Sequence, residues 1–415
     1  MNYMETLGAR AKTASYSYAG AGTKEKDAAL AAIASALEAQ KARIFEANAK
    51  DMAAAQENGM SASMQDRLRL DDARIAGIAG GVRQVMALPD PVGEELGGWL
   101  RPNGLRIRQV RVPMGVVGII FESRPNVTVD AAVLCLKAGN AVILRGGKEA
   151  IWSNTCLVTI MREALASVGL PEDLVQLVEK TDRETAADMM RLNGYLDVLI
   201  PRGGAGLIQA VVKQATVPVI ETGAGNCHVY VDASADLEMA VRIADNAKTQ
   251  RPSVCNAIET LLVHKDIAAA FLPKVKAAFD AHSVLIHGDE TVQQILGSEV
   301  VPATEADWAT EYLGYEIAIR TVGSVEEACD HIRAYSTHHS EAIVTESMEN
   351  AEYFLNHLDS AAVYVNASTR FTDGEEFGFG AEIGISTQKL HARGPMGLLA
   401  LTTTQYRITG NGQTR

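Results

Sequence analysis

The first 90 residues carry apolar side chains at helical spacing. Ala-rich stretches with interspersed Glu and Lys run over residues 23–57 and 71–88, and this pattern predicts amphipathic helices. The sequence Asp90-Pro-Val-Gly then breaks the helical pattern. We therefore predict a helical segment ahead of the first strand.

A β-hairpin is predicted at residues 98–112. Apolar and polar side chains alternate there, and Asn103-Gly104 is a strong two-residue turn signal. A ribbon of two strands is not stable alone. The Thr-rich tail 399–413 also has a strand pattern. We expect the tail and the hairpin to form a sheet between subunits; the alternative is an ordinary edge hairpin.

From Gly115 onward, short apolar runs alternate with helical stretches. The uninterrupted runs at 115–121 and 141–145 are typical of strands buried on both faces of a parallel sheet. Further strands are predicted at 174–178, 196–200 and 217–221, and a second alternating series begins at 228. The predicted fold class is therefore α/β, with two doubly wound α/β domains and a small β-flap.

Length, charge and cysteine content narrow the class of protein. A chain of 415 residues is too long for one ordinary core. A formal net charge of −13 without a long basic run disfavours nucleic acid and anionic membranes as partners. Five scattered cysteines indicate a reducing compartment. Because there is neither a signal-peptide pattern nor a long apolar stretch, we expect a cytoplasmic protein. We assign no metal site.

Cys255 is the candidate nucleophile. It lies in AKTQRPSVCNAIETLLVH, in a predicted loop between a helix and a strand, with Lys248 and Arg251 close in sequence. A thiol reacts as its thiolate, which nearby positive charge stabilises. A lone cysteine is more often a small buried hydrophobe. That interpretation suits Cys135 and Cys156 better, because both lie in apolar helical stretches.

The segment FESRPNVTVD (121–130) runs from a strand end into a helix start. Ligands bind at such points in open α/β sheets. The amide of Asn126 could donate to a developing oxyanion. The alternative is that Asn126 simply caps the helix.

Two glycine-rich segments each follow a strand and open a helix. They are LRGGKEA (144–150) and PRGGAGL (201–207), and free backbone N–H groups there could receive phosphate. Neither has the spacing of a dinucleotide fingerprint, and glycines at such turns are common for local reasons. The candidate cofactor-binding residues in these segments are Arg145, Gly146, Gly147, Lys148, Arg202, Gly203 and Gly204.

ESRPNV, LRGGKEA, ETGAGNCHVYVD and AKTQRPSVCNAIETLLVH together resemble the glutamate-5-semialdehyde dehydrogenases, or gamma-glutamyl phosphate reductases, over nearly the whole chain. That family belongs to the aldehyde dehydrogenase superfamily. The resemblance implies NADPH-dependent reduction of gamma-glutamyl phosphate to glutamate 5-semialdehyde through a Cys thioester, the second step of proline biosynthesis. The matching positions are the nucleophile Cys255, the oxyanion donor Asn126, the general base Glu221 and the cofactor-ribose ligand Glu311.

The resemblance also implies an aldehyde-dehydrogenase-like division of the chain. Residues 1–97 and 113–222 would form an NADP-binding domain, 223–395 a catalytic domain, and 98–112 with 396–415 an oligomerisation β-flap. A homodimer or homotetramer follows from such a flap. A functional association with glutamate 5-kinase is also implied.

The choice of cofactor depends on the residues after the second strand. NAD-preferring aldehyde dehydrogenases have a Lys at this strand end and, three positions later, a Glu that bonds the adenosine ribose. Here Arg145 and Lys148 stand at those positions and would attract a 2′-phosphate instead. We therefore predict NADP(H), with Glu149 as the residue that could occupy the ribose site if the loop shifts.

Substrate anchoring and the role of Glu221 are open at this stage. The substrate carries a carboxylate and a phosphate, and both favour arginine. One rival is an aldehyde-oxidising dehydrogenase, in which Glu221 would activate water; another is a catalytically idle cofactor-binding protein. The candidate substrate-binding residues are Arg124, Arg251, Arg370 and His391, with Arg393 as a further option.

Overall fold

The computed structural model describes residues 1–122 and 124–415, so Ser123 of the ESRPNV motif lies outside the described residues. The chain forms two compact units. The first comprises Met1–Glu221, Gly378–Gly384 and Met396–Arg415, and the second comprises Thr222–Phe377 and Ile385–Pro395. The second unit has the bounds of the predicted catalytic domain, 223–395, except that it begins one residue earlier and that Gly378–Gly384 belongs to the first unit. Backbone bonds hold it there: Ile383 N–H donates to Met396 O at 3.0 Å.

Helices precede the first strand of the first unit, as predicted. Their apolar stripes are buried, for example Leu30, Ile33 and Leu37 in the second helix. The helices are α1 (Tyr3–Tyr18), α2 (Thr23–Ala39), α3 (Lys41–Glu57), α4 (Ala62–Leu68) and α5 (Asp72–Ala87).

The predicted hairpin follows as β1 (Glu95–Leu100) and β2 (Arg106–Pro113). Gly104 in its turn has a φ of 90°, a left-handed conformation that glycine adopts without strain. The first strand starts earlier than the predicted residue 98, and a β-bulge lies between Glu95 and Gly97.

A parallel sheet of four strands in the order β5-β4-β3-β6 forms the centre of the first unit. Every residue of the central strand β3 is buried, which explains its uninterrupted apolar run. The strands are β3 (Val116–Phe121), β4 (Ala141–Arg145), β5 (Val175–Leu177) and β6 (Val198–Arg202). The helices that follow them are α6 (Pro125–Lys137), α7 (Ile151–Ser167), α8 (Arg183–Met190) and α9 (Ala205–Gln214).

The prediction of a strand at 217–221 is wrong. This segment forms only an isolated bridge between Leu199 and Val219. Leu199 N–H donates to Pro218 O at 2.8 Å, and Ile220 N–H donates to Leu199 O at 3.0 Å. Pro218 has no N–H of its own, so the ladder does not extend.

The second unit is built on a parallel sheet of seven strands in the order β10-β9-β11-β8-β7-β12-β13. Its strands are β7 (Cys227–Val231), β8 (Ile258–His264), β9 (Leu285–Gly288), β10 (Val301–Pro302), β11 (Glu316–Val322), β12 (Ser340–Val344) and β13 (Ala362–Val365). Its helices are α10 (Leu237–Thr249), α11 (Lys265–Asp280), α12 (Glu290–Leu296), α13 (Val325–Tyr335) and α14 (Met348–His357). A short antiparallel pair, β14 (Ile385–Ser386) and β15 (Gly394–Pro395), completes it.

Helices cover both faces of this larger sheet. Leu261 of β8 packs in a cluster with Phe271 of α11. The next residue, Leu262, points to the other face and packs in a separate cluster with Ile332 and Phe354 of α13 and α14. The second unit is therefore a doubly wound α/β layer structure, as the alternating series predicts.

The C-terminal strand β16 (Thr402–Thr409) belongs to the first unit and pairs antiparallel with β2. The β-flap is thus a three-stranded sheet in the order β1-β2-β16 within one chain. The predicted pairing of hairpin and tail is present, but its strands come from the same subunit. Separately, the helices in the described part of the chain include none with the length and apolar character needed to cross a membrane.

Candidate active site

Cys255 lies in the loop between α10, which ends at Thr249, and β8, which begins at Ile258. Pro252 in this loop has no N–H to continue the helix. The Cys255 side chain is partly exposed, whereas Cys135, Cys156, Cys227 and Cys329 are buried. Of the five thiols, Cys255 is therefore the accessible one.

The backbone of Cys255 is clamped from the ETGAGNCHVYVD segment. A Cβ at Gly225 would lie 1.6 Å from the Cys255 carbonyl oxygen, so only glycine fits this position. The Cys227 thiol donates to the same carbonyl at 3.1 Å. Gly225 and Cys227 of this motif therefore position the loop of the candidate nucleophile.

Glu311 is joined to the same clamp. Its Oε1 accepts a hydrogen bond from the Gly225 N–H at 2.7 Å. The adjacent Asn226 is buried, and its amide donates to Trp308 O at 2.8 Å and to Tyr335 O at 2.9 Å. Gly225 therefore connects the backbone of Cys255 with the predicted cofactor-ribose ligand.

Arg370 holds the Cys255 loop from a second side. Its Nη1 donates to Asn256 Oδ1, and its Nε donates to Gln250 Oε1 at 2.8 Å. Burial lowers the pKa of Arg370, and negative charge on Asp373 and on the Cys255 thiolate acts in the opposite direction. The guanidinium is therefore placed to favour the thiolate, besides its predicted role in binding substrate.

The other candidate substrate residues have separate environments. Arg251, in the Cys255 loop, is exposed, and His391 is exposed with a φ of 66°. Arg124 is the N-cap residue of α6 in the first unit. Arg393 bonds the backbone and side chain of Asp359, at 3.0 Å to Oδ1, and so makes an ordinary surface ion pair.

Asn126 does not cap α6, so the capping alternative is wrong. The cap position is Arg124, and Asn126 lies in the first turn behind Pro125. The Asn126 amide donates to Asp130 Oδ2 at 2.9 Å. Sequence reasoning missed Asp130, although its spacing of four from Asn126 in a predicted helix was an available signal.

The loop after β4 presents positive charge. Arg145 Nη2 donates to Thr181 O at 3.0 Å, while its buried Nε finds no hydrogen-bond partner among the described residues. Lys148 is exposed. Glu149 packs against its own loop, because a Cβ at Gly147 would lie 2.1 Å from Glu149 Oε1. This loop therefore offers a half-buried guanidinium and an exposed ammonium to an anion.

The helix N-termini behind both glycine-rich segments are capped by carboxylates, so the N–H groups named below are not free as expected. Asp51 of α3 accepts from Trp152 N–H at 3.2 Å and Ser153 N–H at 2.7 Å at the start of α7. Glu122 accepts from Gly204 N–H at 2.9 Å at the start of α9. Burial raises the pKa of Asp51, and its hydrogen bonds to Ser153 and Trp152 oppose this. The N–H groups of Trp152, Ser153 and Gly204 could therefore bind phosphate only if these carboxylates moved away.

The predicted catalytic residues and the predicted ribose ligand are divided between the two units. Asn126 and Glu221 belong to the first, while Cys255 and Glu311 belong to the second. Glu221 ends the first segment of the first unit and follows the bridge at Val219. It is half-buried.

The chain is similar to proteins of known identity. The sequence model of the aldehyde dehydrogenase family matches residues 3–300. A gamma-glutamyl phosphate reductase of Moorella thermoacetica is 60% identical over 412 residues, covering 99% of this chain and 98% of that protein. The crystal structure of a gamma-glutamyl phosphate reductase from Thermotoga maritima superposes with a TM-score of 0.98 at 50% identity, and each chain is covered completely, 100% in both cases.

More distant structures share the fold. An acetylating aldehyde dehydrogenase from Geobacillus thermoglucosidasius has a TM-score of 0.70 at 18% identity, covering 99% of this chain and 97% of that chain. The α/β fold class predicted from the alternating pattern is therefore confirmed, and so is the aldehyde-dehydrogenase-like form that the resemblance implies.

Proposed function

Because the chain belongs to the gamma-glutamyl phosphate reductases of the aldehyde dehydrogenase family, we propose that it reduces gamma-glutamyl phosphate to glutamate 5-semialdehyde and phosphate. This is the second step of proline biosynthesis from glutamate. The observation that carries the proposal is the accessible Cys255 thiol in a loop that Gly225 and Arg370 hold rigidly. A nucleophile needs this combination of exposure and fixed placement.

The reaction begins with attack by the Cys255 sulfur on the γ-carbonyl carbon. The positive charge of Arg370 favours the thiolate. As the carbon–sulfur bond forms, the bond to phosphate breaks and phosphate leaves with the electron pair, so that a thioester remains on Cys255. Asn126 stabilises the carbonyl oxygen, because its amide nitrogen carries two hydrogens and the bond to Asp130 uses only one.

A nicotinamide cofactor, when bound, would supply the hydride that reduces the thioester carbon on Cys255. Cys255 then leaves as the thiolate when the resulting tetrahedral species collapses to the aldehyde. Glu221 does not activate water in this direction, since hydrolysis would turn the thioester into glutamate and waste the activated substrate. This assignment separates the reductase from an aldehyde-oxidising dehydrogenase, in which water would be the acceptor.

A nicotinamide cofactor follows from the family, and we propose that it is NADP(H). The residues after β4 fit a 2′-phosphate, because Arg145 has an unpartnered buried Nε among the described residues and Lys148 is exposed beside it. The proposed cofactor contacts in the second segment are the side chain of Arg202 and the backbone at Gly203 and Gly204, where Glu122 would have to give way. Glu311 is the proposed ribose ligand.

We also propose that the β-flap joins subunits into a homodimer or homotetramer. Several of its apolar side chains are exposed, namely Leu96, Trp99, Leu100, Tyr406 and Ile408. A three-stranded sheet with an exposed apolar surface is typical of an interface. A cytoplasmic location suits a free catalytic thiol. A glutamate 5-kinase is the proposed functional partner, because it makes the mixed anhydride that this enzyme consumes.

Phosphate dependence tests the proposed reaction. The purified protein is given glutamate 5-semialdehyde and NADP+, and NADPH formation is followed with and without inorganic phosphate. We expect NADPH to form continuously only when phosphate is present, because phosphate is the acceptor of the acyl group in reverse. Equal rates without phosphate would identify water as the acceptor and an aldehyde-oxidising enzyme.

A further inference from the structure

A completely buried ion pair lies at the two ends of the Cys255 loop. Lys248 is in the last turn of α10, and Glu259 is the second residue of β8. Both side chains are 0% exposed, and Lys248 Nζ donates to Glu259 Oε2. The proposed chemistry uses neither residue.

Lys248 also ties the loop to the sheet. Its Nζ donates to the backbone carbonyl of Ile258 at 3.0 Å. Ile258 is the residue at which the Cys255 loop ends and β8 begins. One ammonium on the helix before the loop therefore fixes the strand after it.

Glu259 reaches a different loop. Its Oε1 accepts a hydrogen bond from the Leu313 N–H at 3.1 Å. Leu313 has a φ of 55°, a left-handed conformation that costs free energy for a residue with a side chain. Leu313 is two residues from Glu311, which bonds the Gly225 N–H next to the Cys255 carbonyl. The Cys255 loop and the Glu311 loop are thus linked twice, once through Gly225 and once through Glu259 and Leu313.

The net stability of the fold does not by itself account for this buried ion pair. Removing two charges from water is costly, and a buried ion pair is often replaced by apolar residues without loss of stability. Burial raises the pKa of Glu259 to about 7 and lowers that of Lys248. The two side chains instead make hydrogen bonds of fixed direction, which hold the Ile258 C=O and the Leu313 N–H in place.

We propose that Lys248 and Glu259 are positioning residues that set the Cys255 loop and the Glu311 loop relative to each other, and thereby the affinity for the nicotinamide cofactor. This inference rests on the proposed role of Glu311 as a ribose ligand. Neither residue touches the substrate in this account. They act through the backbone at residues 258 and 313.

A double substitution separates positioning from stability. Lys248→Met/Glu259→Leu replaces the pair by apolar side chains of similar size; the cost of burying two charges disappears and offsets the two lost backbone hydrogen bonds, so the variant should still fold with a Tm near that of the native chain. Both backbone hydrogen bonds are lost, so the Kd for NADPH should rise about tenfold or more. The Kd is measured by fluorescence titration without substrate. An unchanged Kd in this folded variant would overturn the proposal.

Conservative and matched variants complete the test. Glu259→Gln keeps an oxygen for the Leu313 N–H, so its NADPH affinity should exceed that of Glu259→Leu; the reverse order would contradict the proposal. Lys26 and Asp90 form a similar buried pair in the first unit, 1% and 8% exposed. Lys26→Met/Asp90→Asn should leave the Kd unchanged, and an equal rise there would show a general effect of removing buried charge. Binding without turnover makes these outcomes independent of the substrate.

Discussion

The side-chain amide of Asn126 donates to the carboxylate of Asp130 at 2.9 Å, one helical turn further along α6. The bond uses one amide hydrogen and fixes the direction of the other. Burial raises the pKa of Asp130 to about 6, while the bond from Asn126 and the charge of Arg202 act in the opposite direction. Asp130 therefore positions the proposed oxyanion donor in a way that depends on pH.

The acid limb of the pH–rate profile tests this role. As the pH falls through about 6, Asp130 takes up a proton and its charge-assisted bond from Asn126 becomes a weaker neutral one, so kcat should decline. Asp130→Asn keeps a neutral acceptor oxygen that does not titrate, so its acid limb should disappear and its kcat at neutral pH should equal the lower value that the native chain reaches at acidic pH. Asp130→Ala should lower kcat about tenfold. An acid limb that is unchanged in Asp130→Asn would contradict this assignment.

The same pKa gives a prediction for stability. A carboxyl whose folded pKa is raised binds more protons in the folded state than in the unfolded state between the two pKa values. Its contribution therefore destabilises the fold as the pH rises from about 4 to about 6, the raised value for Asp130. Asp130→Asn should accordingly raise Tm relative to the native chain at neutral pH more than at acidic pH. A uniform shift would indicate that Asp130 titrates normally.

At Gly225, one added carbon atom should displace the loop that carries Cys255. Gly225→Ala places a Cβ in the Cys255 carbonyl group, so the nucleophile loop must move. We expect a destabilisation of about 1–3 kcal/mol and loss of most activity. Gly77→Ala in α5 is the matched control, since a Cβ there meets nothing within 4 Å. The control should gain stability, and equal effects of both substitutions on turnover would contradict the clamp.

Cofactor choice is tested at Lys148. Lys148→Glu puts a carboxylate where the 2′-phosphate is proposed to bind, so KM for NADPH should rise about tenfold while KM for NADH changes little. Lys24→Glu, an exposed position on α2, controls for the change in net charge. Equal losses with both cofactors, or a native chain that favours NADH, would show that this loop does not recognise the phosphate.

The β-flap prediction concerns the oligomer. Removing residues 101–109 deletes the hairpin tip together with much of β2, to which β16 is paired. The protein should then elute as a monomer in a sizing experiment. Ile408→Lys places a charge on an exposed apolar side chain and should weaken the oligomer without disrupting the hairpin. An oligomer that persists after both changes would show that the flap is not part of the subunit interface.

Local patterns were sufficient for much of the fold. The apolar runs of β3 and β4 identified strands because both faces of a parallel sheet are buried. The Cys255 loop was predicted correctly because a proline follows α10. The prediction of a strand at 217–221 was wrong because Pro218 interrupts the ladder. An apolar run does not show whether a partner strand pairs along its whole length.

Contacts between distant positions were not available from the sequence. Asp51 caps α7 across about a hundred positions, and no local rule connects a helical Asp with the start of a later helix. The sequence shows Lys248 only as a positive charge near Cys255, whereas in the structure it forms a completely buried ion pair with Glu259. Such partners depend on how the elements pack, which periodicity does not report.

The most direct test of the central claim is to trap the acyl group on Cys255. The protein is incubated with glutamate 5-semialdehyde and NADP+ without phosphate, and its mass and peptides are measured. We predict that one glutamyl group accumulates on the Cys255 peptide, that added phosphate releases it, and that Cys255→Ser acquires none. An adduct on a residue other than Cys255 would contradict the account. NADPH formation by Cys255→Ser, with no adduct, would contradict it as well.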